Sequence, residues 1–541
     1  MPDRSSSLAP FRHGTFRAIW TANLASSFGA LIQGVGAAWL MTSISSSVDM
    51  VALVQASTSL PIMLFSLIGG AVADNFNRRR VLLAAQCFML AVSIGLTVCA
   101  YFGLITPWLL LGFTFLIGCG TAVNNPSWQA SVGDLVPRSD LSAAVALNSI
   151  GFNLARSVGP AVGGIIVATA GAAAAFAVNA FSYVPLLAVL LRWKPVVEPS
   201  TLPRETMGSA MLAGLRYVAM SPNIGKVLVR SFVFGFTAIS VMALLPVVAS
   251  SLVDGGPLIY GVMLGAFGIG AVGGAVLRGQ LQDRLRSEVI VRLAFVGFAI
   301  CAWISAASQS PWPTCLALML GGACWVLALS LFNVTVQLST PRWVVGRALS
   351  LYQTASFGGM ALGSWVWGVA ADQYGIQIAL IVAGVLMLGG ALIGFKLPLP
   401  GEIAVNLDPV NRWTEPHLEL DLLPRSGPIT IRIEFIIKPE DVVPFLTVMA
   451  DRRRIRLRNG ARNWSLMRDL AEPQLWVETF QSPTWTEYVR HNQRMTHADA
   501  EVADKIRALH SGPGRPVVHR LIERHPAIAL AKGFFEPTLP H

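Results

Sequence analysis

A membrane bundle of twelve helices followed by a small soluble α+β domain is the fold class this sequence predicts, and three observations predict it. Apolar residues fill 54% of the 541 positions and charged residues only 13%, with a mean hydropathy of +0.59. Ordinary soluble chains of this size do not show that balance. The apolar residues also gather in runs. Taking about 20 residues as the length needed to cross a bilayer, twelve segments qualify, near 17–41, 50–72, 80–101, 106–128, 141–168, 173–192, 226–250, 258–279, 289–308, 312–336, 346–370 and 376–396. Composition then shifts: residues 1–400 carry 21 Lys+Arg against 11 Asp+Glu, whereas 401–541 carry 19 against 18. Nearly all of the +11 net charge therefore belongs to the membrane part, so it reports topology and no nucleic-acid partner is expected.

The loops alternate in charge. Lys and Arg crowd the ends and loops at Arg17, 78–80, Arg138, 192–194, Arg204, Lys226, 284–292 and 342–347, while the loops around Ser45, Gly103, Gly171, Asp254, Ser310 and Gln373 have none. By the positive-inside rule both termini are expected on the cytoplasmic side, in agreement with an even number of spans. The longest polar break divides six helices from six. The expected organisation is an N-terminal six-helix bundle over 1–192, a cytoplasmic inter-bundle loop over 193–225, a second six-helix bundle over 226–397, a linker over 398–427, a cytoplasmic ferredoxin-like domain over 428–525 and a tail over 526–541. Pro137-Arg138 followed by Ala146-Leu-Asn148-Ser resembles Pro341-Arg342 followed by Ser350-Leu-Tyr-Gln353-Thr, about 205 residues on. Weak similarity between halves suits a transporter with its substrate site between two related bundles.

In the soluble part, residues 429–437 alternate like a half-buried strand, and Pro439-Glu-Asp opens a helix to about Arg458 with carboxylates in its first turn. Strands near 461–470 and 474–480, helices from Ser482 and from Thr496 to His510, and a strand at 516–521 complete a ferredoxin-like order. The run Arg452 to Arg458 reads mostly as a solvated helix face, with anionic lipid as the rival partner. His491, His497, Asn492 and Trp464 raise the idea of an oxygenase, but no flavin, haem or metal spacing accompanies them. Cys87, Cys99, Cys119, Cys301, Cys315 and Cys324 all lie in apolar segments without C-x-x-C spacing, so neither a disulfide framework nor a metal site is indicated. No cofactor is expected.

The fifth segment carries the most informative charge. Arg156 lies in the otherwise uncharged stretch from Asn148 to Gly164, where an arginine costs roughly 2.5–3.5 kcal/mol on insertion scales unless it meets water or a partner. Gly151, Ala155, Gly159 and Gly163 recur every four residues and mark a packing face with Pro160 and Gly164 beside it. Ser149, Asn153, Arg156 and Pro160 fall on the neighbouring face, which is expected to look into a cavity. Arg156 either meets substrate there or is a structural group satisfied by carbonyls or a buried carboxylate. Asn148, Asn153, Asn124, Gln33 and Gln353 are the further cavity candidates, each of which interhelical hydrogen bonding also explains. Ala266, Gly270 and Gly274 are the stripe on the eighth segment offered to face the fifth.

Gly70-Ala-Val-Ala-Asp74-Asn-Phe-Asn-Arg78-Arg79-Arg80 resembles the loop between the second and third helices of the major facilitator superfamily, with Asn77 where a second glycine is expected. A poorer copy, Gly279-Gln-Leu-Gln-Asp283-Arg284, follows the eighth segment. The resemblance implies a conformational switch at Gly70, Asp74, Arg78, Arg79 and Asp283, contacts that form when the cytoplasmic side is closed. Gly159-Pro160-x-x-Gly163-Gly164 resembles the fifth-helix signature of that superfamily's exporters.

A closer resemblance covers almost the whole chain. Asn125-Pro126-Ser-Trp128-Gln129, Leu135-Val-Pro-Arg138, Asn153-Leu-Ala-Arg156, Arg458-x-Gly460-Ala461-x-x-Trp464, Ser482-Pro-Thr-Trp485 and Arg494-x-Thr496-x-x-Asp499 look like the enterobactin-exporter-like branch, the transmembrane secretion effectors, whose longer members have a tail similar to antibiotic-biosynthesis-monooxygenase domains. The resemblance implies a proton-driven exporter of the bacterial inner membrane, not an enzyme, with the lipid bilayer, a small organic substrate and protons as partners; the tail domain itself suits dimerisation, ligand sensing or docking of a cytoplasmic partner. The substrate class expected is siderophore-like, antibiotic-like or otherwise anionic or aromatic. The fourth segment has no arginine of the proton-relay kind and no span has a clearly central Asp or Glu, so proton coupling rests on the resemblance alone. The alternative is a membrane-anchored sensor or cofactor-independent oxygenase working through its C-terminal domain.

Overall fold

The computed structural model describes residues 8–137, 140–194, 207–341, 343–400, 406–407, 410 and 413–523; within helices, the side chains of 73–75, 130, 133, 141, 142, 145, 146, 149, 153, 207, 209 and 210 fall outside the description. The chain divides into two units. The first comprises Met1–Leu215, Ser221–Ser339 and Val345–Glu402, and the second Arg216–Met220, Thr340–Val344 and Ile403–His541.

Six membrane helices form the first half of the first unit. They are α1 (Gly14–Ile44), α2 (Val48–Asn75), α3 (Arg78–Tyr101), α4 (Pro107–Leu135) and the two limbs of α5 (Leu141–Arg192). Without a bend, the 52 residues of α5 would be about 78 Å long, more than twice the hydrocarbon core. Gly171, at φ +78° and ψ 172°, folds it into two spans, in a backbone region essentially reserved for glycine. A short helix, α6 (Met207–Ala219), follows where the sequence reads only as a polar break.

The second six are α7 (Pro222–Val247), which continues through a π-helical turn to Leu252, α8 (Pro257–Arg284), α9 (Ser287–Ala307), α10 (Pro311–Leu338), α11 (Val345–Tyr374) and α12 (Ile376–Lys396). Prolines open α4, α7, α8 and α10, where their fixed φ suits the first helical turn and their missing N–H is not needed. Pro222 accordingly starts α7 before the expected boundary at 226. Ten segments of the described residues meet a strict test of length and hydropathy, one of them, Ile150–Arg192, holding both limbs of α5. The span that misses the test is α11, which carries Arg347, Gln353 and Asp372.

Within the first bundle α1 and α3 pack on α5, and α2 on α4; within the second, α8 and α9 pack on α10, α7 on α11, and α9 on α12. The two bundles meet along α2 with α11 and α5 with α8.

The second unit contains a four-stranded antiparallel sheet of order β2-β3-β1-β4, made of β1 (Ile429–Ile436), β2 (Arg462–Arg468), β3 (Leu475–Ser482) and β4 (Val517–Ile522). Helices α13 (Val442–Arg458), α14 (Trp485–Gln493) and α15 (His497–Leu509) complete the ferredoxin-like order. Alternate residues of β1, Ile429, Ile431, Ile433 and Phe435, are buried and pack with Phe445, Met449, Tyr488, Val489 and Ile506 of the helices. The period-two pattern thus places one face of β1 in the core.

Candidate functional site

The seam between the bundles is where α5 and α8 come closest, because both backbones lack side chains at the crossing. A Cβ on Gly164 would stand 2.9 Å from the Cα of Gly261, and one on Gly268 would stand 2.4 Å from the Cα of Ser157. The stripe on α8 that meets α5 is therefore Gly261, Gly265 and Gly268. This corrects the sequence expectation: Gly270 and Gly274 face Met319 and Ala323 of α10 instead. On α5 itself, Gly151, Gly159 and Gly163 lie against Trp20, Leu31 and Ile32 of α1. Ala155 is fully buried and Pro160 is buried beside Gly261.

Arg156 lies midway along the first limb of α5 and points across this seam. Its guanidinium carbon is 5.4 Å from the ring centre of Phe267 on α8 and 5.7 Å from that of Trp325 on α10. Those rings belong to a rigid aromatic cluster. Trp325 packs against Phe234, Phe267 and Phe298, and Phe234 against Phe295 and Phe332, with centroid separations of 5.0–6.4 Å. Among the described residues Arg156 makes no ion pair and no hydrogen bond. Two cation–π contacts, each worth about 0.5–2 kcal/mol, offset much of the roughly 2.5–3.5 kcal/mol insertion cost, while the guanidinium N–H donors have no acceptor among the described residues.

The other predicted cavity residues divide into two groups. Gln33 is buried, hydrogen-bonded by Asn179 and by Ser93 (3.4 Å), and Asn124 accepts a bond from Gln86 at 3.0 Å. Both tie helices of the first bundle together. Asn148 keeps a buried Oδ1 without a partner, and Gln353 on α11 makes no hydrogen bond among the described residues. The side chain of Asn153 falls outside them.

At the predicted switch, Gly70 approaches the second bundle: its Cβ would stand 3.0 Å from Ser350 Oγ, while Ser66 Oγ bonds Thr354 Oγ1 at 3.0 Å. Arg78 pairs with Asp134 of α4 at 2.8 Å, and Arg79 donates to the carbonyls of Leu190 and Leu191 at the end of α5, the position where a cation complements the helix dipole. These arginine contacts lie inside the first bundle. Asn77, standing where a glycine was expected, caps α3 by accepting from Arg80 N–H. Asp283 is exposed and unpaired among the described residues, and the side chain of Asp74 falls outside them.

The model of one family, described as transmembrane secretion effectors, matches residues 5–527. The chain belongs to this family. Among the relatives of this secretion effector, the enterobactin exporter EntS of Salmonella typhimurium is 28% identical over 410 residues, and that of Citrobacter koseri 26% over 402, each match covering 72% of this chain and 95% of the relative. Solved structures with the same fold include a bacterial homologue of the human lysosomal transporter Spinster (13% identity, TM-score 0.56, 72% of this chain and 97% of that one). A POT family transporter in complex with 5-aminolevulinic acid aligns similarly (11%, TM-score 0.59, 71% and 96%). The secretion effector is thus a multi-pass exporter of the major facilitator fold in the bacterial inner membrane, a transporter and not an enzyme.

Two clusters of this secretion effector escaped sequence reasoning. In the second bundle Glu288 of α9 pairs with the buried Arg230 of α7 and with Arg292 at 2.6 Å, and accepts Leu399 N–H at 2.8 Å. In the tail domain Glu478, with a fully buried side chain, accepts from Arg452 (2.8 Å) and Trp464 (3.0 Å), with Arg456 at ion-pair range (3.5 Å). Arg456 bonds His491, and Arg458 pairs with Asp499 at 2.7 Å. The run 452–458 is therefore not mainly a solvated face: Arg452 and Arg456, one turn apart, stand over the sheet, while Arg453 and Arg454 are exposed. The residues of the supposed oxygenase group have structural partners: Trp464 and His491 serve this ion network, and Asn492 binds the Tyr488 carbonyl.

Proposed function

We propose that the chain exports a small organic molecule that is anionic, or rich in hydroxyl and aromatic groups, by alternating access between the two bundles. Arg156 is the observation that carries this reading: a cation at mid-membrane, against aromatic rings of the opposite bundle, without a carboxylate among the described residues. A planar guanidinium offers two parallel donors to a carboxylate or catecholate oxygen pair, and Phe267 and Trp325 offer flat surfaces for the ligand's rings. The enterobactin exporters among its relatives support a siderophore-like cargo, with antibiotic-like compounds of the same chemistry as the rival. Asn148 and Gln353, with free polar atoms, are the hydrogen-bonding groups of the site on this reading.

Proton-driven export is part of the proposal, with both termini in the cytoplasm. The described span carboxylates, Asp49, Asp134, Asp283, Glu288 and Asp372, all lie in first or last helical turns. On this reading protons exchange at those ends or on the substrate itself. Dimerisation through the tail belongs to the same reading, with the exposed Val517 and Leu521 of the edge strand β4 as the available surface.

Comparing exported metabolites of deletion and overexpression strains names the substrate. In inside-out vesicles its uptake should stop when a protonophore collapses the gradient. Arg156→Lys should weaken affinity about tenfold, the equivalent of ~1.4 kcal/mol, and Arg156→Gln further, with detergent-stable yield retained. Normal affinity in a well-folded Arg156→Gln protein removes Arg156 from the site and the anionic preference with it. Uptake indifferent to the protonophore removes proton coupling.

A further inference from the structure

The tail domain encloses a cavity of about 290 Å³ between the inner face of its sheet and helices α13–α15, at the lower bound of small-molecule sites. One part of its wall is apolar and aromatic, with Phe435 and Phe480 of the sheet, Tyr488 of α14 and Trp413. The other part is cationic. Arg452 and Arg456 of α13, Arg507 of α15, Arg515 and Arg520 all line it, and no carboxylate does among the described residues.

Among the described residues only two acids answer these five guanidinium groups. Glu478 lies behind Arg452 and Arg456, and Asp504 pairs with Arg507 at 3.0 Å on the surface. Arg520 is spent on Tyr488 Oη at 3.0 Å, and Arg515 has no partner among the described residues. Arg456 is the innermost cation, its side chain 9% exposed, 4.3 Å from the ring centre of Phe480, and its Nε makes no hydrogen bond. Burial and the neighbouring Arg452 push its pKa down to about 10. Burial and Arg456 likewise hold His491 well below the usual histidine range, so it stays neutral and supplies no further cation at pH 7.

A cation-rich pocket floored by flat rings, with Arg452 and Arg456 largely removed from water at its inner end, selects ligands in the way surface arginines do not, since charge pairing strengthens as water is excluded. We propose that this cavity binds a small organic anion, with a flat aromatic body held among Trp413, Phe480 and Tyr488 and one carboxylate or phosphate group facing the arginines. The site is separate from the export seam and does not rest on the reading of Arg156.

Titration calorimetry on the full-length protein in detergent, with 1-naphthoate and the uncharged 1-naphthamide as probes, tests it. Naphthoate should bind at least tenfold more tightly than the amide. The double variant Arg507→Gln/Arg515→Gln, confined to the exposed rim and so compatible with folding, should lose about tenfold in naphthoate affinity, whereas Arg156→Gln should leave this binding as it is. Absence of saturable naphthoate binding, equal binding of both probes, or an unchanged affinity in the double variant overturns the proposal. Loss of binding in Arg156→Gln overturns it as well, by placing the anion in the membrane.

Discussion

Guanidinium groups taken out of water have to find compensation, and this protein solves the problem in three ways. Arg230 is buried against Glu288, whose second oxygen serves Arg292, a pairing whose rupture typically costs about 3–5 kcal/mol. Arg456 shares Glu478 with Arg452 and leans on Phe480. Among the described residues Arg156 has only rings, which is why the proposed function assigns it to the ligand. His491, fixed between Arg456 and Phe480, sets a pH dependence. Its folded pKa lies well below 6.5, so the unfolded chain binds more protons as pH falls through 6.5, and stability falls with it, by at most about 1.4 kcal/mol per pH unit. Glu478, with its pKa lowered by Arg452 and Arg456 against the effect of burial, acts in a separate window, losing its contribution only as pH drops below the ordinary carboxylate range. The protection factors of amides in α14, which correct for the intrinsic slowing of exchange in acid, should therefore fall from pH 6.5 towards 5 in the wild type and stay flat in His491→Gln, where an amide oxygen can still accept from Arg456. A slope unchanged by that substitution removes His491 as its source. Arg156 was legible in the sequence because a lone charge in an apolar run is conspicuous. Its aromatic partners were not, since phenylalanine is ordinary in any span; only Trp325, far from the membrane interfaces that tryptophan prefers, carried a signal.

Helix α8 shows how two stripes of small residues on one element can serve different ends. Gly268 and Gly270 are two positions apart, hence about 200° apart around the helix, one facing α5 across the seam and the other facing α10 within its own bundle. A Cβ at Gly270 would sit 1.8 Å from the Met319 carbonyl oxygen, and at Gly268 2.6 Å from that of Arg156. Both are backbone collisions, but only the bundle interior must stay closed throughout transport. Gly270→Ala should therefore lower detergent-stable yield and melting temperature. Gly268→Ala should keep yield near wild type while reducing vesicle uptake about tenfold, as the α5–α8 contact of this conformation is disfavoured. Equal losses of yield in the two variants would mean that the seam is no more separable than the interior. The spacing of glycines announced close packing on α8; which neighbour each stripe meets depends on helix rotation, which composition does not encode. The same holds for α13, where the arginine run looked solvated until Glu478 of the central strand β3 was found beneath two of its members.

At the scale of the whole molecule, the tail domain and the transporter part are separable in composition and in packing. Removing residues 403–541 should leave export of the same substrate measurable in vesicles, because the seam, Arg156 and its aromatic cluster all lie in the first unit. The deletion should cost thermal stability, since within the second unit Arg458 stacks on Tyr217 at 5.1 Å and Arg494 on Trp343 at 4.1 Å, and both rings lose those partners. Complete loss of transport with intact yield would make the tail an essential part of the machine. The sequence alone determined the twelve spans, the division of six from six, the charge-free connection around Gly171 and the order of strands and helices along the tail domain, because each follows from local rules: length against bilayer thickness, the distribution of loop charge and the periodicity of apolar residues. Tertiary structure alone decided which polar groups are consumed by neighbours and which stay free, as with Gln33 against Arg156, and it alone formed the Arg230–Glu288–Arg292 cluster and the cationic tail cavity. Those depend on residues brought together across many positions in the chain, where the energy of a charge is set by what surrounds it and not by what precedes or follows it.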